Sequence, residues 1–238
     1  MIKRRTQVKL AVSALVVVSF FLIEPFLQET LKQKVPIKHV GVEGAFQYIS
    51  KQDIQSKISP FIGEGYFSLD LQAIQESVMS LPWAEKVQVQ RVWPNGVKLR
   101  LYEQKPVVRW KTDSLLNIRG EIFTPANINA FKFLPVLDAP IEQRKEMLEV
   151  MHGLRVSLMD QDLSLSEFRV SDRHSWVLVM ADGMLIQLGR FKPLHKFSQL
   201  LNAFVVSGDE LVNKIAYVDM RYPNGYSVRW RDNERMVW

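Results

Sequence analysis

The apolar positions between Ile37 and Gln104 change period from element to element. Residues 37–44, IKHVGVEG, alternate Ile37, His39 and Gly41 with Lys38, Val40 and Val42 and stop at a glycine, which predicts a strand. Ser50 with Asp53 three residues on is a capping-box pattern and predicts a helix through Ile58, ending before Pro60. Ser68 is the expected cap of a second helix, in which Leu71, Ile74, Val78 and Leu81 recur at helical spacing until Pro82. Then AEKVQVQRVW and GVKLRLYE alternate, with Val87, Val89, Val97, Leu99 and Leu101 expected inward, joined by the turn signal Pro94-Asn95-Gly96. The predicted order is strand, helix, helix, strand, strand, with Trp83 and Trp93 expected to pack against the helices.

A second region starts near Gln104. KPVVRW, LLNIRG and EIFT read as short strands with a turn at 117–120, followed by an irregular stretch over 125–140. Residues 141–160 predict an amphipathic helix. Met147, Leu148, Met151, Leu154 and Leu158 share its apolar face, with Glu142, Arg144, Lys145 and Glu149 in water. SLSEFRVS and SWVLVMADGMLIQLG follow as strands, the latter a hairpin on Asp182-Gly183. Leu194, Phe197, Leu200, Leu201, Phe204 and Val205 form a further helical face. The last pattern, YVDMRYPNGYSVRW (217–230), is a hairpin about Asn224-Gly225 whose second strand has no later segment to pair it. Arg229 and Arg231 are the kind of charged residue that blunts such an edge.

Charge changes the picture at one end. The chain carries a net +6, but Lys3, Arg4, Arg5 and Lys9 precede its first acid, and residues 10–238 hold 27 bases against 25 acids. The basicity thus belongs to a tail and not to a nucleic-acid surface. Next to that tail lies the uncharged run Leu10–Ile23, which extended to Leu27, with Lys9 snorkelling, matches a hydrocarbon core of about 30 Å. Glu24-Pro25-Phe26 offers no small-residue cleavage site, which favours an uncleaved anchor over a signal peptide, and the positive-inside rule leaves the tail cytoplasmic. The division expected is residues 1–9 cytoplasmic, 10–27 a membrane helix, 28–36 a linker, 37–104 the first folded unit and 105–238 the second. The chain has no cysteine, so its folded part relies on its cores.

Catalytic patterns do not assemble. His39, His152, His174 and His195 are dispersed, and neither a His-Glu-x-x-His spacing nor a Gly-x-Ser-x-Gly elbow occurs. Asp172-Arg173-His174-Ser175 is local clustering, whereas triads are built from distant segments, and it reads as a turn. No enzyme, metal or cofactor is expected.

Several ordered motifs do carry a resemblance. YFSLDL (66–71), the LPW of Leu81-Pro82-Trp83, the R-x-W-P of Arg91 to Pro94, the E-x-x-P-V-x-R-W of Glu103 to Trp110 and the Y-V-D-x-R-Y-x-x-G of Tyr217 to Gly225 occur in order along nearly the whole chain. In these the chain resembles the FtsQ family of bacterial cell-division proteins, and its first unit is similar to a POTRA (polypeptide-transport-associated) domain. The resemblance implies an α+β protein: one transmembrane helix, a small β-α-α-β-β POTRA domain, then a mainly antiparallel carboxy-terminal β domain with packing helices. It also implies a bitopic inner-membrane scaffold at the division septum that binds FtsB-like and FtsL-like single-pass coiled-coil proteins in the periplasm and helps control septal peptidoglycan synthesis. The very short cytoplasmic segment departs from that pattern and leaves little room for cytoplasmic contacts.

The edge strand and the resemblance converge on one surface. A strand from an FtsB-like partner is expected to add to Tyr226–Trp230 by β-augmentation. Family contacts carry over to Tyr222, Gly225 and Trp230, with Tyr226 and Val228 on the strand itself and Arg221, Tyr217 and Arg190 beside it. Two alternatives stay open: a POTRA-type component of protein transport or outer-membrane assembly, and a periplasmic hydrolase.

Overall fold

The computed structural model describes residues 36–63, 65–223 and 225–231. The cytoplasmic tail, the membrane helix and nearly all of the linker expected from the sequence lie outside the described residues, as does Asn224 of the last turn. Among the described residues no helix is long and apolar enough to cross a membrane. The chain forms two compact units that divide between Gln104 and Lys105.

The first unit follows the order β1 (His39–Glu43), α1 (Lys51–Ile62), α2 (Leu71–Met79), β2 (Ala84–Val92), β3 (Gly96–Glu103). Ser50 and Asp53 close the expected capping box. The helix then continues to Ile62 with Pro60 inside it, because the amide that proline lacks would have met Ser56 on the exposed face, where water can serve its carbonyl. The second helix is capped by Asp70, not Ser68. The Asp70 carboxylate accepts from the N–H groups of Gln72 and Ala73, while the Ser68 hydroxyl donates to the Gly65 carbonyl. This helix stops at Met79, and Leu81 continues the apolar row on a tighter turn, its N–H reaching the Val78 carbonyl.

β2 and β3 pair antiparallel, and the two helices form the crossover that brings β1 parallel to the far side of β3. The order β1-β3-β2 makes β3 central. Ile54 and Ile58 of α1 and Ile74 and Val78 of α2 bury against Val87, Val97, Leu99 and Leu101. The Glu103 carboxylate gathers the loop before α1 by accepting from the N–H groups of Gln47, Tyr48 and Ile49 at 2.7–2.9 Å. Trp83 stacks on Tyr48 with ring centroids 4.1 Å apart. Trp93 does not pack against the helices: it stands 80% exposed at the hairpin tip, beyond the last β2 residue that faces them.

The second unit is one nine-stranded sheet. Its strands are β4 (Pro106–Trp110), β5 (Ser114–Asn117), β6 (Ile122–Phe123), β7 (Val136–Asp138), β8 (Leu165–Val170), β9 (Trp176–Met180), β10 (Leu185–Gly189), β11 (Ile215–Asp219) and β12 (Ser227–Trp230), in the order β12-β11-β10-β9-β8-β7-β4-β5-β6. Most neighbours run antiparallel, but β4–β7, β7–β8 and β10–β11 are parallel. The stretch over 125–140 was expected to be irregular, yet it holds β7, which joins β4 to β8 in mid-sheet. Three residues between prolines are too few to show a period.

α3 (Arg144–Met159) and α4 (Pro193–Ser207) cover one face of this sheet, followed by the short α5 (Asp209–Val212). All five apolar residues expected on α3 are buried. Arg144 is not free in water, because its guanidinium donates to the Gly120 and Ile141 carbonyls. The buried stripe of α4 is narrower than its spacing suggests: Phe197, Leu200 and Phe204 are buried, whereas Leu194 and Val205 are exposed. On the sheet, Phe168, Leu178, Ile186 and Val218 bury under these helices. The opposite face carries the half-buried Glu167, Val179, Leu185 and Tyr217.

Candidate protein-binding edge

β12 ends the sheet, with β11 as its hydrogen-bonded neighbour. The register sets Asp219 opposite Ser227, Val218 opposite Val228, Tyr217 opposite Arg229 and Ile215 opposite Trp230, with an irregularity at 215–217. The Arg231 N–H donates to the Lys214 carbonyl at 2.7 Å. Backbone groups of an antiparallel strand alternate sides residue by residue, so Arg229 and Ser227 also turn toward β11. Val228 and Trp230 accordingly direct N–H and C=O away from it. Among the described residues no strand receives those groups.

Side chains alternate as well. Val228 packs against the core, and Trp230, two residues on, lies on the same side at the rim, 43% exposed. Tyr222, on the connection between the strands, is 57% exposed, and Tyr226 and Gly225 are exposed beside it. Large amphipathic rings thus stand at both ends of an unpaired backbone row.

Beneath the connection is a polar cluster on the face away from the helices. Asp219 is only 3% exposed, yet ionised groups surround it favourably. Arg221 donates to its carboxylate from Nε and Nη2, at 2.7 Å for the latter, and the Arg221 backbone N–H adds a third link. These bonds hold the carboxyl below its ordinary range against the opposing effect of burial. Tyr217 donates to Gln187 at 2.6 Å, its phenol pushed up by burial and then by the nearby Asp219 charge. The Arg221 guanidinium is correspondingly harder to deprotonate.

Gly189 supports this cluster. Its φ is +76°, and a Cβ there would lie 3.1 Å from Cγ of Arg221, so glycine serves both the backbone and the close approach. Arg190 follows directly, exposed, with its guanidinium 4.7 Å from the Phe191 ring centre. The two arginines expected to blunt the edge are occupied on the sheet instead. Arg229 lies over the Tyr217 ring, and Arg231 bonds the Ile215 carbonyl and Asp182.

The structure therefore gathers Tyr217 and Arg221 into one cluster, places Arg190 one residue beyond the glycine that touches it, and sets Tyr222, Gly225, Tyr226, Val228 and Trp230 along the edge. Sequence reasoning missed Asp219 and Gln187. The signal for Asp219 was present, since an acid two residues before an arginine in a strand shares its face. Gln187 comes from β10, 30 residues before Tyr217, and only the parallel pairing of β10 with β11 reveals it. Among the described residues no group of three or more His, Cys, Asp or Glu side chains is placed to hold a metal ion. The His174 segment is a tight turn, with the His174 N–H donating to the Ser171 carbonyl at 2.8 Å.

Comparison with known proteins agrees with the division into units. The family model described as POTRA domain, FtsQ-type, matches residues 35–104, and that described as cell division protein FtsQ/DivIB, C-terminal, matches residues 108–221. The cell division protein FtsQ of Methylomonas methanica is 40% identical over 204 residues, covering 85% of this chain and 82% of that protein. Those of Shewanella oneidensis and Cellvibrio japonicus are 27% and 31% identical, covering 89% and 91% of this chain and 80% and 66% of theirs. With a POTRA unit, a β-rich unit carrying helices, and relatives matched along most of their length, the chain belongs to the FtsQ family of cell-division proteins.

Proposed function

We propose that the chain is a bitopic divisome scaffold, anchored in the inner membrane by residues 10–27, whose periplasmic β unit takes a strand of an FtsB-like partner onto β12. An FtsL-like protein joins through that partner, and the complex links assembly at the septum to control of septal peptidoglycan synthesis. One observation carries the reading: the outward N–H and C=O groups of Val228 and Trp230 have no strand beside them among the described residues. Main-chain bonds to that row supply affinity, and the exposed Tyr222, Tyr226 and Trp230 supply the flanking side-chain contacts that choose the partner. Arg190, exposed beside the cluster, is available for a charge-assisted bond to an acidic partner residue.

The test is substitution at the edge of the full chain in membranes, with a photo-crosslinking residue between 222 and 231. Val228→Pro deletes an outward N–H and is expected to reduce capture of a small coiled-coil membrane protein at least tenfold, about 1.4 kcal/mol. Tyr222→Ala is expected to cost about 2 kcal/mol of binding without loss of fold. Undiminished capture by Val228→Pro, or crosslinks to nascent outer-membrane proteins in place of a coiled coil, would reject the assignment.

A further inference from the structure

The R-x-W-P motif belongs to the first unit and takes no part in the docking edge. Its tryptophan is the anomaly: Trp93 stands 80% exposed on a turn, and Phe67 is 58% exposed. Backbone and side-chain contacts put both at one pole of the unit. The Arg91 guanidinium donates to the Tyr66 and Leu69 carbonyls, holding the 65–69 loop against the end of the β2–β3 hairpin. Gly65 bridges Pro36, the Lys38 N–H donates to the Asn95 carbonyl at 3.0 Å, and His39 lies opposite Gly96. The chain therefore arrives in the unit at the same pole that displays the two rings.

This matters because of the tether. Eight residues, 28–35, separate the proposed anchor from Pro36, and eight residues reach at most about 29 Å however they run. The pole thus stays within about 29 Å of the bilayer surface, close enough to reach it. Trp93, an aromatic ring with one polar N–H, is the kind of side chain that prefers the headgroup level of a bilayer, and Phe67 adds a purely apolar ring that gains by leaving water beside it. Lys38 at the pole adds positive charge toward anionic headgroups, and the tether sequence, with Lys32 and Lys34 against Glu29, is net positive as well. Resting on the reading of residues 10–27 as an anchor, we propose that Trp93 and Phe67 seat this pole of the POTRA unit in the phospholipid headgroup layer. The unit is then held at a fixed attitude to the membrane and does not swing on its tether.

The absence of cysteine makes the test direct. Full-length Asn95→Cys, carrying a polarity-sensitive fluorophore, is reconstituted in vesicles of zwitterionic and anionic phospholipid containing a headgroup spin label. Gln47→Cys, some 24 Å away at the other end of β3, is the comparison. Quenching at residue 95 is expected to exceed that at residue 47 by at least about twofold. Adding Trp93→Gln and Phe67→Gln is expected to bring the two positions level while the thermal unfolding curve stays in place, both side chains being exposed. Equal quenching at the two positions, quenching that survives the double substitution, or shielding of residue 95 that appears only with a protein partner would each overturn the proposal. Failure of the anchor reads out separately, as release of the chain by an alkaline carbonate wash. A chain that stays in the vesicles with residue 95 unquenched is anchored but not docked.

Discussion

The tripeptide Pro-Asn-Gly occurs twice, each time after an aromatic residue, as Trp93-Pro94-Asn95-Gly96 and as Tyr222-Pro223-Asn224-Gly225. Both reverse the chain between antiparallel strands, but the first connection spans three residues and the second seven. After the first, β3 becomes the centre of its sheet, because the crossover through α1 and α2 has already laid β1 where its second side will be. After the second, β12 meets only β11 among the described residues. Turn chemistry settles that a strand returns. Whether its other side is satisfied depends on what arrives from elsewhere, and this makes an edge a property of topology.

The two strands should differ most in what their core side chains contribute. Leu99→Ala, at a fully buried position of central β3, is expected to cost about 3 kcal/mol, whereas Val228→Ala on half-buried β12 costs about 1 kcal/mol or less. Thermal or denaturant unfolding of the full chain decides it, and equal losses would show β12 to be as integral as β3. Next in size is Glu103→Ala, which removes three acceptor contacts at the end of β3. It should destabilise the first unit by about 2 kcal/mol, with faster amide exchange at Gln47, Tyr48 and Ile49.

Asp219→Asn sharpens the contrast by about 1 kcal/mol and carries a pH signature. The folded carboxyl sits below its ordinary value of 3.8, chiefly through the Arg221 bond. Its contribution is therefore complete above that value and fades as the pH falls through the lowered one. Unfolding curves of the wild type and Asp219→Asn should stay apart at neutral pH and converge in acid. A gap that persisted at the lowest pH would assign the effect to packing. Smallest is Arg231→Ala, expected to speed amide exchange at Arg229 and Arg231 while leaving the midpoint of global unfolding nearly unchanged.

The first unit was legible because its signals are local. The capping box, the helical spacing of Ile74 and Val78 and the alternation through Val97, Leu99 and Leu101 lie each within one element, and each points the same way. The second unit was legible wherever an element was long, as in α3, and illegible where pairing was distant. β7 is three residues long and is fixed by β4 and β8 on its flanks, about 25 positions away on either side. At the candidate edge, the exposed rings followed from the hairpin pattern. The buried Asp219 and the parallel approach of Gln187 did not, since a carboxylate inside a sheet is decided by which cation reaches it. Trp93 failed for the opposite reason: an aromatic residue reads as core until the turn beyond it is seen to leave the sheet.

The clasp made by Arg231 gives the last strand a mechanical polarity. Its guanidinium holds the Ile215 carbonyl and Asp182 at the strand's exit, while Gly225 and Tyr226 at its entry lie open to water. β12 is thereby fastened at its exit by a side-chain clasp in addition to its ladder, so fraying of the strand is expected to begin at Ser227 and not at Trp230.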